Sequence, residues 1–164
     1  MIEDKNIKIF GFNNYLDELI ELFNANKIPN KLLISGKSGI GKTTFSFHLI
    51  NYIFSLNEEF KYDLNKKEIN PINKSFSMMK KKIHPNFFNI SVKQDKKNID
   101  ILQIREMINF INKSSFDNKS KIILIENIEY LNNFSANALL KSIEEPNEKV
   151  IFILLYNNEH QCLD

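Results

Sequence analysis

Cysteine is almost absent from this sequence, with Cys162 the only one in 164 residues. That excludes an internal disulfide and any zinc site built on cysteine. Arginine is equally scarce: Arg105 stands alone among 22 basic residues. A small nucleoside or shikimate-type kinase, which clamps a transferred phosphoryl group between arginines, is therefore disfavoured. No apolar run approaches the roughly 20 residues that span a bilayer. The acidic lead Met1-Ile2-Glu3-Asp4 shows no apolar core of a secretory signal, so a cytoplasmic protein is expected. The formal charge of +2 argues neither for nor against nucleic acid. Heavy use of Lys, Asn, Ile and Phe together looks like A+T-rich coding bias, which empties the lysine excess of meaning. Even the run Lys80-Lys81-Lys82 reads as a solvated loop.

What is present is a core. A hydrophobic content of 43% allows one sizeable interior, and a single domain over residues 1–164 is the expectation. The chemistry lies at Gly36-Lys37-Ser38-Gly39-Ile40-Gly41-Lys42-Thr43, which spells G-x-x-x-x-G-K-T. The apolar run Lys31 to Ser35 precedes it and reads as a short buried strand. Thr44 to Phe54 follows with helical periodicity. Strand, glycine turn and helix start in that order make a phosphate-binding loop, in which backbone N–H groups turn inward around an anion. Gly36, Ser38, Gly39, Ile40, Gly41, Lys42, Thr43 and Thr44 are the candidate ATP contacts. Lys42 reaches the terminal phosphates, and the Thr43 hydroxyl holds a magnesium ion.

The rest of the chain alternates. Helices are expected at Asn14 to Ala25, at Asp100 onward and at Ser135 to Glu144. Asp100 and Gln103 form a capping box. Ala136, Leu139, Leu140 and Ile143 are expected to face the sheet, with Asn137, Lys141 and Glu144 exposed. Pro146 stops that helix. Strands are expected at Asn86 to Ser91, Lys121 to Glu126 and Val150 to Tyr156. Residues 58–82 form a polar connection with at most one short helix, and His84 is a loop residue. Runs that are apolar throughout are buried on both faces, as in a parallel sheet covered by helices. The fold class is α/β, a three-layer P-loop NTPase core.

Glu126, at the end of its apolar strand, is the candidate second magnesium ligand. Enzymes of this kind place another acid beside it to activate water, but here that residue is Asn127. An amide accepts no proton, so the site is suited to binding nucleotide and poorly equipped to hydrolyse it. Asn157, just past the last strand, is the candidate amide facing the γ-phosphate, with Asn158 as its competitor.

The segment Ala136 to Pro146 resembles the A-N-A-L-L-K-x-[LI]-E-E-P stretch of the bacterial clamp-loader ATPases, members of the AAA+ class. Ile104-Arg105-Glu106 is similar to the family's Q-I-R-E helix start, and Pro29 to Gly36 to its P-x-x-L-L-x-G approach to the loop. The resemblance covers Ile9 to Asn158. It implies a subunit of the DNA polymerase III holoenzyme that helps load the sliding clamp onto primed DNA. The implied partners are the gamma/tau and delta subunits, the clamp and DNA, with no membrane. Asn127 and the missing cysteine cluster resemble the stator-type subunit with an eroded site more than the motor subunit gamma/tau, an active ATPase.

In that family the chain continues through a Ser-Arg-Cys element, a last strand, a helical lid and a helical collar. This sequence ends at Cys162-Leu163-Asp164, so a C-terminally truncated fragment lacking these parts is expected. Four parallel strands would remain, with Lys31 to Ser35 at an open edge, and the chain would fold poorly or associate non-specifically.

Overall fold

The computed structural model describes residues 7–113, 120–144 and 150–158. Met1 to Asp4, the stop at Pro146, and Cys162 lie outside the described residues. The chain forms two compact units, one from the segments 7–28 and 43–84 and the other from 29–42 and 85–158.

The first unit is helical. Helix α1 is Asn13–Asn24, and the second unit's first strand, β1, is Lys31–Gly36. Helix α2 runs Lys42–Ser55, and the short α3 is Lys74–Lys80. From Phe45 to Ser55 every residue of α2 is buried, including Ser46, His48, Asn51 and Ser55. Buried polar groups need partners, and most of these have them, with Asn51 Oδ1 an unpaired exception. His48 Nδ1 lies 2.8 Å from the Tyr62 hydroxyl, and Asn51 donates to Asn73 Oδ1 at 2.8 Å. Asn73 in turn caps α3 by accepting from Phe76 N–H, while Glu58 accepts from the Lys74 and Ser75 N–H groups. The 58–82 connection therefore holds its one expected helix and is ordered by hydrogen bonds. Lys80, Lys81 and Lys82 are exposed. His84 is a packing residue, stacked on Phe54 at 4.1 Å.

The second unit carries the sheet. Strands β2 (Phe87–Ile90), β3 (Lys121–Ile125) and β4 (Val150–Asn157) join β1 in the order β1-β4-β3-β2, all parallel. Helix α4 (Ile101–Asn112) opens on the expected box: Asp100 accepts from Gln103 N–H at 3.1 Å, and the Gln103 side chain accepts from Asp100 N–H. Helix α5 is Asn133–Glu144. One sheet face packs Ile90, Ile123, Ile125, Val150 and Phe152 against Ile104 and Met107 of α4 and Leu139 of α5. At the other end of α4, the buried Lys121 ammonium donates to the carbonyls of Phe110, Ile111 and Lys113. Desolvation, followed by the charge of Lys113, pulls its pKa below the ordinary lysine value.

Two expectations need correcting. β1 is not a buried strand: its residues alternate between exposed and half-buried, and Leu33 is 62% exposed. The cause is its edge position. Interior β3 is buried at every residue, whereas β1 has only β4 beside it. Leu140 is not in the core either, at 54% exposure. Leu139 is the buried residue of that pair, while Ala136 and Ile143 are half-buried. Asn137, Lys141 and Glu144 are exposed, as the periodicity implied.

Candidate functional site

In a parallel sheet the carboxyl ends of the strands lie along one edge, where α/β proteins build their sites. Here that edge carries Gly36 at the end of β1, Asn157 at the end of β4 and Glu126 directly after β3. Gly36 and Asn157 are register partners. Asn157 is thus the last residue of β4 rather than a residue beyond it, and its neighbour Asn158 is exposed.

Three of the four glycines in the chain fall between residues 36 and 41. Gly39 and Gly41 have φ of +74° and +103°, values that side chains with a Cβ rarely adopt. These two conformations bend the loop so that it returns into α2. Ser38, Gly39 and Ile40 are exposed along it, and Gly41, Thr43 and Thr44 are half-buried. Lys42 does not extend into solvent. Its ammonium, buried at the head of α2, donates to Gly36 O at 2.9 Å, Lys37 O at 2.7 Å and Asn157 Oδ1 at 2.7 Å.

The β3 end carries a second set of contacts. Glu126 accepts from Asn89 Nδ2 of β2 at 2.9 Å, and its own N–H donates to Ile90 O at 2.8 Å. Asn127 adopts the left-handed region, with φ +60°, and leads into a single 3-10 turn over Ile128–Tyr130. Its side chain donates to Glu129 Oε1 at 3.3 Å. Asn157 also feeds Glu129, through its backbone N–H at 3.2 Å to Oε2 and its Nδ2 to Oε1. Burial pushes the Glu129 carboxyl up. The N–H donors of its own backbone, Asn157 and Asn127 more than offset this and leave it below the ordinary carboxylate range.

The geometry therefore joins Gly36, Lys37, Lys42, Asn157, Glu129 and Asn127 in one chain of hydrogen bonds, and Glu126 with Asn89 in another. The sequence reading missed Glu129 and Asn89. A signal existed for both: Asn89 interrupts the apolar run of β2, and Glu129 is a second acid three residues beyond the strand-end carboxylate. Among the described residues no cluster of His, Cys, Asp and Glu forms a metal cage, and no helix is long and apolar enough to cross a membrane.

A glycine loop leading from the first strand of a parallel α/β sheet, with a lysine and a strand-end amide beside it, defines a core of the P-loop NTPase class. The chain matches the family described as "DNA polymerase III, delta subunit" over residues 12–164. It belongs to that family, the clamp-loader branch of the AAA+ proteins. It is 31% identical to the DNA polymerase III delta-prime subunit of Pseudomonas aeruginosa over 80 residues, 49% of this chain and 24% of that protein. With the delta-prime subunit of Buchnera aphidicola (subsp. Baizongia pistaciae) it shares 33% over 94 residues, 54% of this chain and 28% of that one. The gamma subunit of Buchnera aphidicola (subsp. Schizaphis graminum) is 30% identical over 149 residues, 90% of this chain and 38% of that subunit. A gamma subunit-related protein from Thermotoga maritima shares the fold, with a TM-score of 0.58 and 21% identity over 90% of this chain and 42% of its own. The chain thus spans less than half the length of each of these relatives.

Proposed function

We propose that this chain is the nucleotide-binding part of a delta-prime-like clamp-loader subunit, a stator that helps load the sliding clamp onto primed DNA beside gamma/tau and delta. It binds ATP with magnesium through Gly36 to Thr44 and hydrolyses it slowly. The observation that carries the binding half is the Lys42 ammonium, held at the mouth of a loop bent by Gly39 and Gly41 and in contact with Asn157. An ammonium at the mouth of a glycine loop fits a polyphosphate, and the Thr43 hydroxyl and Glu126 carboxylate are the hard oxygen donors magnesium takes. In this reading the loop orients the phosphates, Lys42 neutralises their charge, and the metal would screen what remains.

Slow turnover rests on Asn127. The residue after Glu126 offers an amide directed to Glu129, and an amide at that position takes no proton from water. The test is calorimetry with ATP and magnesium on the full chain and on Lys42→Ala. The reading expects binding that the substitution removes, and equal binding by both proteins would overturn it. The match to a gamma subunit over 90% of the chain favours one alternative, an active motor ATPase. Turnover at a motor's rate that disappears in Lys42→Ala would establish that alternative.

A further inference from the structure

Asn157 sits between two charges of opposite sign. Its Oδ1 accepts from Lys42 at 2.7 Å, and its Nδ2 donates to Glu129. An ammonium only donates and a carboxylate only accepts, so one orientation of the carboxamide satisfies both. Turning it over would set NH2 against the ammonium and C=O against the carboxylate. Glu129 is well anchored for this work. Its second oxygen accepts the Asn157 backbone N–H at 3.2 Å, and Asn127 supplies another donor at 3.3 Å. The turn that carries it is tied down by Tyr130 N–H to Asn127 O at 3.0 Å and by Ile99 N–H to Tyr130 O at 2.8 Å.

The consequence falls on Lys42. Its ammonium has three N–H donors, and three oxygens stand within 2.9 Å of it. Two of them are main-chain carbonyls fixed by the loop. The third is the Asn157 side chain, which a rotation could remove, but Glu129 holds it. We propose that Glu129 is a positioning residue for nucleotide: through the Asn157 carboxamide it seats Lys42 so that an incoming phosphate must compete for the lysine. This rests on the nucleotide-binding reading above. It adds that affinity is set partly by a carboxylate that does not itself touch the phosphate.

A bare charge effect would also make Glu129 oppose a polyanion, and a double-mutant cycle separates the two. ATP affinity with magnesium is measured calorimetrically on the full chain for wild type, Glu129→Gln, Asn157→Ala and the double variant. Glu129→Gln should tighten binding by roughly three- to tenfold, the scale of one weakened charge-assisted hydrogen bond. In the Asn157→Ala background the same change should have almost no effect. A gain that persists without Asn157, or no gain at all, overturns the proposal. Glu129→Asp keeps the charge but shortens the reach, so it should resemble Glu129→Gln; an affinity equal to wild type counts against the relay. The free protein gives an independent readout. The Asn157 side-chain NH2 should exchange slowly with solvent in wild type and faster in Glu129→Gln, and unchanged exchange refutes the relay. If no variant binds ATP, the nucleotide reading falls and the exchange measurement alone decides the Glu129 contact.

Discussion

Asn89 donates its amide N–H to Glu126 across the β2–β3 pair at 2.9 Å, while its own Oδ1 is buried without a hydrogen-bond partner. The two facts oppose each other. Losing a bond to a carboxylate costs about 1.5–3 kcal/mol, and removing an unsatisfied buried oxygen returns about 1–3 kcal/mol. Asn89→Ala should therefore change stability by no more than about 2 kcal/mol while freeing Glu126 to swing. Denaturant unfolding checks the first part. A severalfold weaker dependence of ATP binding on magnesium checks the second, since a mobile carboxylate is a poorer ligand.

Helix α5 separates two adjacent leucines. Leu139→Ala should destabilise the protein by about 2–5 kcal/mol, as a core truncation does. Leu140→Ala, at an exposed site, should stay within about 0.5 kcal/mol. Urea midpoints of the two variants decide the matter, and similar losses would mean that Leu140 is covered in solution.

The Asp100 cap gives a pH dependence with a definite sign. The Gln103 backbone N–H, the largest cause, holds the Asp100 carboxyl below its ordinary value; Lys96 and Lys93 add to this against a desolvation cost. A depressed carboxylate contributes stability above its unfolded pKa, about 3.9, and loses it as pH falls through the folded value. Asp100→Ala should cost about 0.5–2 kcal/mol at neutral pH. The gap from wild type should narrow below about pH 4 in acid unfolding curves. Asp100→Asn should keep much of the cap without that acid dependence.

Restoring an acid at position 127 is opposed by the backbone. Asn127 has φ +60°, a region asparagine adopts at less cost than glutamate. Asn127→Glu should lower stability by about 1–2 kcal/mol, and it places a second carboxylate beside Glu129. Turnover in an assembled complex should rise more with Asn127→Glu and Glu129→Gln together than with Asn127→Glu alone. A phosphate-release assay with all three proteins checks it.

Signals that act within a few residues were legible in the sequence. The capping box at Asp100 needs only Gln103 three positions on, and the loop from Gly36 to Thr43 needs only glycines where φ is positive, as at Gly39 and Gly41. Buried strands show as unbroken apolar runs, which held for β3 and most of β4. Contacts formed across the fold were not legible. Leu139 and Leu140 lie about 100° apart on a helix, so period alone admits either to the core and only packing against α4 and the sheet chooses between them. The run in β1 looks like the one in β3, and hydrophobicity does not encode strand order; the edge position that left Leu33 uncovered is an expectation of the family resemblance alone. The bonds joining Glu129 to Asn157 and Asn89 to Glu126 bridge 28 and 37 residues. Residue type named their donors and acceptors in advance. The parallel register of the sheet decided which would meet.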